Sequence, residues 1–205
     1  MDASWYLDVN DFAVRTPWLH GVLTVYAVYG VAVFAVLVAI GWWLARSQDD
    51  PARGVAAALW AGAGTVVAVG INQLIGGVVA RPRPYLTLHG VEVLVVKSSD
   101  YSFPSDHAVT AGAAAAGLWI IGRYAGPRTR GLAVTGTVLA VLLAFARVYV
   151  GAHYPGDVVA GLLVGAMISV LGWLAVGRLL TALVTRLAGY RSFRPLVVAH
   201  PSPNA

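Results

Sequence analysis

Long uncharged stretches constrain this chain more than any other feature of its sequence. No residue that is charged at neutral pH lies between Arg15 and Arg46, between Arg53 and Arg81, or between Asp157 and Arg178. Each stretch is long enough for the roughly 20 apolar residues that a membrane-spanning helix needs. Charged residues make up 11% of the 205 positions, against roughly 25% in soluble domains. These features predict a membrane protein and exclude a disordered chain, a nucleic-acid-binding domain and an ordinary soluble domain.

The same stretches predict an all-α fold: a polytopic membrane helix bundle that forms one domain over residues 1–191. About five spans are predicted, at residues 22–45, 55–79, 107–124, 131–150 and 158–178. Residues 4–15 predict a short interfacial helix, with a frayed terminus as the alternative, and residues 192–205 predict a disordered tail. The GxxxG spacing of Gly161 and Gly165 indicates close helix packing inside the bundle or, alternatively, in a homodimer.

Basic residues are distributed unequally between the two sides that five spans would define. Nine of the 14 Lys and Arg residues fall on the side of the 46–54 loop, the 125–130 loop and the C-terminus, and five fall on the other side. Positive residues prefer the cytoplasmic side of a membrane. The sequence therefore predicts a multi-pass protein of the cytoplasmic membrane with its N-terminus outside and its C-terminus inside.

Polar residues that composition does not explain cluster in the two connections on the predicted outer side. Each has a structural alternative when taken alone: Ser105 and Asp157 could cap helices, and the arginines could anchor helix ends at the interface. Their joint occurrence on one membrane face favours a functional site. The candidates are Arg81, Arg83, Ser105, Asp106, His107, Arg147, His153 and Asp157.

This set of residue types suits an anionic ligand. Helix N-termini present free N–H groups to phosphate, arginines offer forked donors to phosphate oxygens, and histidine can attack phosphorus or donate a proton near neutral pH. The four-residue spacing of His153 and Asp157 would let the carboxylate hold one ring nitrogen and leave the other free. Cysteine is absent, and the sequence has no HExxH motif or carboxylate cluster. We therefore expect no metal and no cofactor.

The set resembles the three-part signature of the PAP2 (type 2 phosphatidic acid phosphatase) superfamily, KxxxxxxRP, PSGH and SRxxxxxHxxxD. The resemblance covers residues 76–157: Arg83-Pro84 ends the first element, residues 104–107 (Pro-Ser-Asp-His) form the second, and Arg147, His153 and Asp157 form the third. Three positions depart from the signature, with Gly76 for lysine, Ala146 for serine and Asp106 for glycine. The candidates to compensate for the lost lysine are Arg81, Asn72 and Gln73. The PSDH form and the run after it look most like bacterial undecaprenyl-diphosphate phosphatases of the bacitracin-resistance type.

The resemblance implies a PAP2-like core and a metal-independent phosphatase that acts through a phosphohistidine. It gives His153 the role of nucleophile, His107 that of general acid and Asp157 that of orienting His153. The implied phosphate-binding residues are Arg83, Ser105, Asp106 and Arg147, with Arg81 as a further candidate. The implied substrate is a polyprenyl (undecaprenyl or decaprenyl) diphosphate that is hydrolysed to the monophosphate for carrier-lipid recycling in cell-wall synthesis. The alternatives are a phosphatidylglycerophosphate- or phosphatidate-type phospholipid phosphatase and a non-enzymatic lipid-binding or transport protein.

Overall fold

Helices form the regular structure in a computed structural model of the chain, which describes residues 1–48 and 50–199. No β-strand occurs in those two ranges. A 3₁₀ turn at Pro17–Leu19 joins the first two helices. The α-helices are α1 (Asp2–Arg15), α2 (His20–Tyr29), α3 (Val31–Ala45), α4 (Pro51–Val79), α5 (Pro84–Thr87), α6 (Asp106–Tyr124), α7 (Gly126–Tyr149), α8 (Pro155–Ala188) and α9 (Arg194–Val197).

Three segments are long and apolar enough to cross a membrane: Pro51–Thr87, Gly126–Tyr149 and Pro155–Ala188. A fourth is formed if the bent pair Pro17–Tyr29 and Val31–Ala45 counts as one span, with a bend of 58°. The predicted spans 55–79 and 158–178 lie inside α4 and α8. The span 131–150 lies inside α7 except for residue 150, and 22–45 corresponds to the bent pair. The all-helical membrane bundle predicted from the sequence is therefore confirmed, with three or four apolar spans.

The predicted span 107–124 corresponds to α6, which is not among these apolar segments. Helix α6 has 19 residues rich in Ala and Gly, and it contacts α3, α4, α7 and α8. Because neighbouring helices cover α6 on several sides, it does not need the large apolar side chains with which α8 faces lipid. Helix α6 is thus the central helix of the bundle rather than a fifth strongly apolar span.

Small residues allow α8 to approach α6 closely. A Cβ atom at Gly161 would lie 2.8 Å from the Ser105 carbonyl oxygen, and one at Gly165 would overlap the backbone of Val109. The GxxxG spacing is therefore used for packing within the chain, as in other close membrane-helix contacts. It gives no separate indication of a homodimer.

The N-terminal helix α1 packs across the end of the bundle that holds the candidate residues. Its Asn10 amide donates to the Glu92 carbonyl (2.8 Å) and accepts from the Glu92 N–H (2.9 Å), which fixes the long connection between α5 and α6. Tyr6, Asn10 and Ala13 are buried, whereas Trp5 and Phe12 are exposed. The helix predicted over 4–15 is therefore present, starts at Asp2, and has one apolar exposed side.

The C-terminal segment differs from the prediction of a disordered tail over 192–205. Residues 194–197 form α9, Val197 is buried, and the Trp42 indole N–H donates to the Leu196 carbonyl at 3.1 Å. The Ala199 N–H also donates to the Arg46 carbonyl at 3.0 Å. The prediction of disorder rested on local composition, which carries no information on the hydrogen bonds that this segment makes with Trp42 and Arg46. Residues 200–205 lie outside the described part of the chain.

Candidate active site

Most of the candidate residues converge at the end of the bundle where α4 and α7 finish and α6 and α8 begin. A cavity of about 350 Å³ opens there. Its polar lining includes Arg83, Asp106, His107, Arg147 and His153. Residues that are up to 70 positions apart in sequence, such as Arg83 and His153, therefore share one pocket.

His153 lies in the loop between α7 and α8, and its two ring nitrogens have different partners. Nδ1 lies 2.8 Å from the carbonyl oxygen of Ser102, which can only accept a hydrogen bond, so Nδ1 carries the proton. Nε2 lies 3.1 Å from Arg83 Nη1 and 3.4 Å from Arg147 Nη2, which can only donate. This arrangement fixes one tautomer, in which the Nε2 lone pair faces the cavity and the two arginines.

The imidazole of His153 is held in its neutral form. Burial, followed by the positive charges of Arg147 and Arg83, lowers the pKa of His153 well below its ordinary value of 6.5. A neutral imidazole keeps its lone pair near neutral pH, which is the form that a nucleophile requires. The arginines therefore serve the ring in two ways, since they fix its tautomer and oppose its protonation.

Asp157 is near His153 but makes no hydrogen bond to it, in contrast to what the four-residue spacing predicted. Its Oδ2 lies 3.9 Å from His153 Nδ1, beyond hydrogen-bond distance. Oδ2 instead accepts from the Ser102 hydroxyl (2.5 Å) and the Tyr154 N–H (3.0 Å). The Tyr154 contact caps α8, so the structural alternative for Asp157 also holds. The carboxylate reaches the imidazole through Ser102, whose carbonyl oxygen accepts the Nδ1 proton.

Ser102 is the functional residue that the sequence reasoning missed. It is fully buried, its N–H donates to the Arg81 carbonyl at 2.8 Å, and its other two polar groups join Asp157 to His153. It contacts the imidazole through its carbonyl oxygen. Because every residue type has a main-chain carbonyl, such a contact cannot be recognised from the amino-acid sequence. Only its place three positions before Ser105 could have drawn attention to it.

Arg83 and Arg147 are both buried, and the backbone fixes them. Arg83 Nη1 donates to the Ala152 carbonyl (3.0 Å), and Arg147 Nη1 donates to the Ala27 carbonyl (3.2 Å). Arg83 also pairs with Asp100, with Nη2 at 2.9 Å from Oδ1. The two guanidinium groups thus point toward one place beside His153 Nε2, where an anion would meet donors from both.

Arg81 was predicted as a further phosphate-binding candidate, but the structure places it away from the lining of the cavity. Its guanidinium pairs with Asp157 (2.6 Å) and Asp2 (2.7 Å) and lies over the Tyr154 ring, 3.9 Å from the centroid. Two carboxylates therefore already use its donors. Arg81 binds Asp157 through Oδ1, and its ion pair with Asp2 connects α1 to the site.

The residues at the start of α6 occupy three different environments. His107 faces the cavity. Ser105 is the residue before the helix, and its buried hydroxyl has no hydrogen-bond partner in the described residues. Asp106 Oδ1 accepts from Asn72 (2.7 Å) and Gln73 (2.9 Å). The two amides that were candidates to replace the missing lysine therefore bind Asp106, the residue that stands where the signature has glycine.

No group of three or more His, Asp or Glu side chains that could hold a metal ion occurs within residues 1–48 and 50–199. The donors that face the cavity include two guanidinium groups, which suit an anion better than a cation. The independence from metals that the sequence suggested stays a prediction for experiment.

Comparisons with known proteins agree with this geometry. A family model described as the PAP2 superfamily matches residues 57–181. Undecaprenyl-diphosphatase BcrC of Bacillus subtilis is 30% identical over 153 residues, which cover 75% of this chain and 72% of that protein. An undecaprenyl-diphosphatase of Sulfolobus acidocaldarius is 35% identical over 106 residues, 52% of this chain but only 48% of that protein, so the chain spans about half of its length. Decaprenylphosphoryl-5-phosphoribose phosphatase of Mycobacterium tuberculosis is 38% identical over 117 residues, 55% of this chain and 58% of that protein.

Solved structures support the same fold. The crystal structure of a transmembrane PAP2-type phosphatidylglycerolphosphate phosphatase from Bacillus subtilis has a TM-score of 0.61 at 20% identity, covering 92% of this chain and 88% of that one. The crystal structure of Aquifex aeolicus LpxE has a TM-score of 0.58 at 22% identity, covering 83% of this chain and 93% of that one. At these identities the likeness shows the arrangement of helices alone.

Proposed function

This chain belongs to the PAP2 superfamily, and on that premise we propose that it is an integral-membrane phosphatase that hydrolyses a polyprenyl diphosphate to the monophosphate. The observation that carries the proposal is the His153 imidazole, whose Nε2 lone pair faces two buried guanidinium groups in a cavity that His107 also lines. Two histidines and two guanidinium groups thus line one pocket, and we assign His153 as the nucleophile and the two arginines as the anion-binding groups.

The first step forms a bond between His153 Nε2 and the terminal phosphorus. The phosphate oxygens accept hydrogen bonds from the N–H groups of Arg83 and Arg147 that contact Nε2 in this structure. The Nε2 lone pair is then free to attack. As the N–P bond forms, the bond from phosphorus to the bridging oxygen breaks and the lipid monophosphate leaves. Donors aimed at the place where negative charge develops are the largest contribution that such a site can make to catalysis.

His107 acts on the leaving group and then on water. It gives its proton to the departing oxygen, and it takes a proton from the water that attacks the phosphohistidine in the second step. That attack releases inorganic phosphate and restores the neutral imidazole. Ser102 and Asp157 keep the ring in place and put a negative charge near it while it is positive.

An apolar groove beside the cavity supports a lipid substrate. The groove measures about 400 Å³ and lies between α3, α4 and α6. On α6, His107 lines the catalytic cavity, while Thr110 and Ala114 line the groove. Positions separated by three and four residues share a helix face, so the groove begins about one helical turn from His107 on the same face of α6. A water-soluble phosphate ester would have no use for such a surface.

The relatives support a polyprenyl substrate, since two of them are undecaprenyl-diphosphatases and a third acts on a decaprenyl-linked sugar phosphate. The experiment measures phosphate release by the purified protein from undecaprenyl diphosphate, phosphatidylglycerophosphate, phosphatidate and a decaprenyl sugar phosphate in micelles. We expect the highest kcat/KM with the diphosphate. A preference for a phospholipid would select the alternative function, and no release from any substrate would select a binding or transport protein.

The unequal distribution of basic residues supports a site that faces outward, with the C-terminus in the cytoplasm. Such a phosphatase would regenerate the carrier lipid for cell-wall synthesis in the cytoplasmic membrane and would give resistance to bacitracin. Val96 is 96% exposed in the connection beside the cavity, so V96C should react with an impermeant thiol reagent in intact cells. G131C at the other end of the bundle should react only after lysis, and the reverse pattern would overturn the orientation.

We also propose that the reaction needs no divalent cation, because arginines and histidines supply the positive charge and the proton transfers. Activity should survive extensive treatment with EDTA. Inactivation by EDTA that one divalent ion restores would contradict the phosphohistidine mechanism in this form.

A further inference from the structure

A second polar cavity lies at the opposite end of the bundle from the catalytic site. It measures about 890 Å³ and is bounded by the start of α4, the end of α6 and the middle of α8. Its charged lining consists of Asp50, Arg53 and Arg178, and its aromatic lining consists of Tyr124 and Trp173. It shares no residue with the catalytic cavity or with the apolar groove beside it.

An apolar groove of about 340 Å³ continues from this cavity toward the middle of the bundle. The two share Tyr124 and Trp173. On α6 the groove is lined at positions 116, 119, 120, 123 and 124, and on α8 at positions 170 and 173. These spacings of three and four residues place each set on a single helix face. The two helices therefore form one continuous channel with an apolar part and a charged part.

Positive charge dominates the polar cavity and the adjoining edge of the groove. The Arg53 guanidinium lies 4.5 Å from the centroid of the Tyr124 ring, Arg178 is exposed, and Arg123 lines the edge of the adjoining groove. Among the described residues, Asp50 is the carboxylate that lines this cavity; it accepts the Arg53 backbone N–H at 3.3 Å and caps α4. Within residues 1–48 and 50–199, three arginines and one aspartate line the cavity and the groove, which leaves positive charge in excess among them.

We propose that this channel binds one anionic phospholipid of the adjacent leaflet, with its phosphate between Arg53 and Arg178 and an acyl chain along the groove between α6 and α8. The two-part lining carries the proposal, because a free anion would use the arginines alone and a neutral lipid the groove alone. Basic pockets between membrane helices are typical sites for acidic headgroups. The aromatic rings of Tyr124 and Trp173 lie where the two parts meet, as interfacial aromatic residues do.

The experiment compares lipid binding by the full-length protein in detergent, using native mass spectrometry to count bound lipids. The probes are phosphatidylglycerol and phosphatidylcholine with identical acyl chains, together with soluble glycerol phosphate. The test variant is R53Q/R178Q. The matched control is R186Q/R191Q, which removes the same charge from exposed positions that line neither part of the channel.

We expect the wild-type protein to retain one phosphatidylglycerol in preference to phosphatidylcholine. The R53Q/R178Q variant should lose roughly tenfold or more in affinity, given the contribution of each arginine to binding an acidic lipid, while R186Q/R191Q should bind as the wild type does. An independent check is thermal: phosphatidylglycerol should raise the Tm of the wild type and of the control, but not that of R53Q/R178Q.

The apolar part is tested separately with A116F, which fills the groove, against A63F on the exposed side of α4. A116F should weaken phosphatidylglycerol binding, and A63F should leave it unchanged. The proposal is overturned if both arginine pairs matter equally, if A116F has no effect, or if glycerol phosphate competes as well as the lipid does. Phosphate release from the polyprenyl substrate is measured in parallel, so failure here is distinct from failure of the proposed catalytic function.

Discussion

The two ends of the bundle hold arginines in opposite ways. At the catalytic end, Arg83 and Arg147 are buried, and carbonyl oxygens from other parts of the chain hold their guanidinium groups in place. At the far end, Arg53 and Arg178 are exposed, and Arg53 lies on an aromatic ring. A buried, hydrogen-bonded guanidinium is already oriented for a transition state, whereas an exposed one can adapt to a mobile headgroup. The difference indicates that rigidity is concentrated where chemistry is proposed.

The largest effect expected at the rigid end is that of removing the proposed nucleophile. H153Q keeps a polar side chain but cannot form a phosphohistidine, so phosphate release should fall roughly 10³-fold or more, as when catalytic residues that act as a unit are removed. H89Q, at an exposed position in the connection before α6, is the matched control and should retain full activity. Substantial activity in H153Q would show that another group attacks phosphorus.

Replacing Arg147 by lysine tests the comparison between the two ends directly. A lysine keeps the charge but has one ammonium nitrogen in place of the two guanidinium nitrogens that contact the Ala27 carbonyl and His153 Nε2. We expect R147K to lose roughly 100-fold in kcat, the effect of removing one donor from a site that stabilises charge. R186K, the same change at an exposed position of α8, should leave kcat unchanged. Equal, small effects would mean that charge alone matters at the catalytic end.

The pH dependence of the wild type provides the next test. Because the pKa of His153 is lowered well below 6.5, the ring gains its proton only at a pH well below that value. Activity should therefore persist as pH falls through 6.5. One pH unit below an unshifted pKa of about 6.5, the neutral fraction would already have fallen roughly tenfold. We expect kcat/KM, which reports ionisations of the free enzyme, to fall less than twofold there, and a tenfold decrease would contradict the proposed environment of His153.

The positions of the helices and most of the site residues could be predicted from the sequence. What could not be predicted depends on contacts between distant parts of the chain. Uncharged stretches locate the helices because the bilayer excludes charge, and the motif spacing brings Arg83, Arg147 and His153 to one end. The spacing of His153 and Asp157 suggested a direct contact, but the helix begins at Pro155 and Asp157 caps its first turn. The link through Ser102 depends on a backbone carbonyl, and the contacts of α9 depend on the neighbouring α3. Tertiary contacts of this kind are not encoded in local spacing.

Ser102 offers a moderate effect that separates positioning from folding. S102A removes the hydroxyl that Asp157 accepts, while the carbonyl oxygen that holds His153 remains. Loss of a hydrogen bond to a charged group should lower kcat by roughly tenfold, with KM nearly unchanged because phosphate is bound by the arginines. S102T should restore most of kcat, since it keeps a hydroxyl. A rise in KM with unchanged kcat would assign Ser102 to substrate binding instead.

The smallest effect expected of a substitution concerns Asp100, a carboxylate that occupies a position near where substrate phosphate would bind. Its side chain is 55% exposed and pairs with Arg83. Burial alone would raise the pKa of Asp100, but the Ser98 hydrogen bond and the Arg83 charge lower it below its ordinary value. Asp100 is therefore ionised at any pH at which the enzyme would work, and it competes with phosphate for the same guanidinium group.

Replacing Asp100 by asparagine should consequently lower KM, and the inhibition constant of inorganic phosphate, by about threefold. The size follows from the roughly 0–1 kcal/mol that partly exposed ion pairs contribute. D8N, at an exposed position of α1, removes the same charge and should change neither constant, so a general effect of net charge is controlled. If KM rises in D100N, Asp100 instead orients Arg83 for substrate, and the rigidity of the catalytic end then extends to its exposed rim.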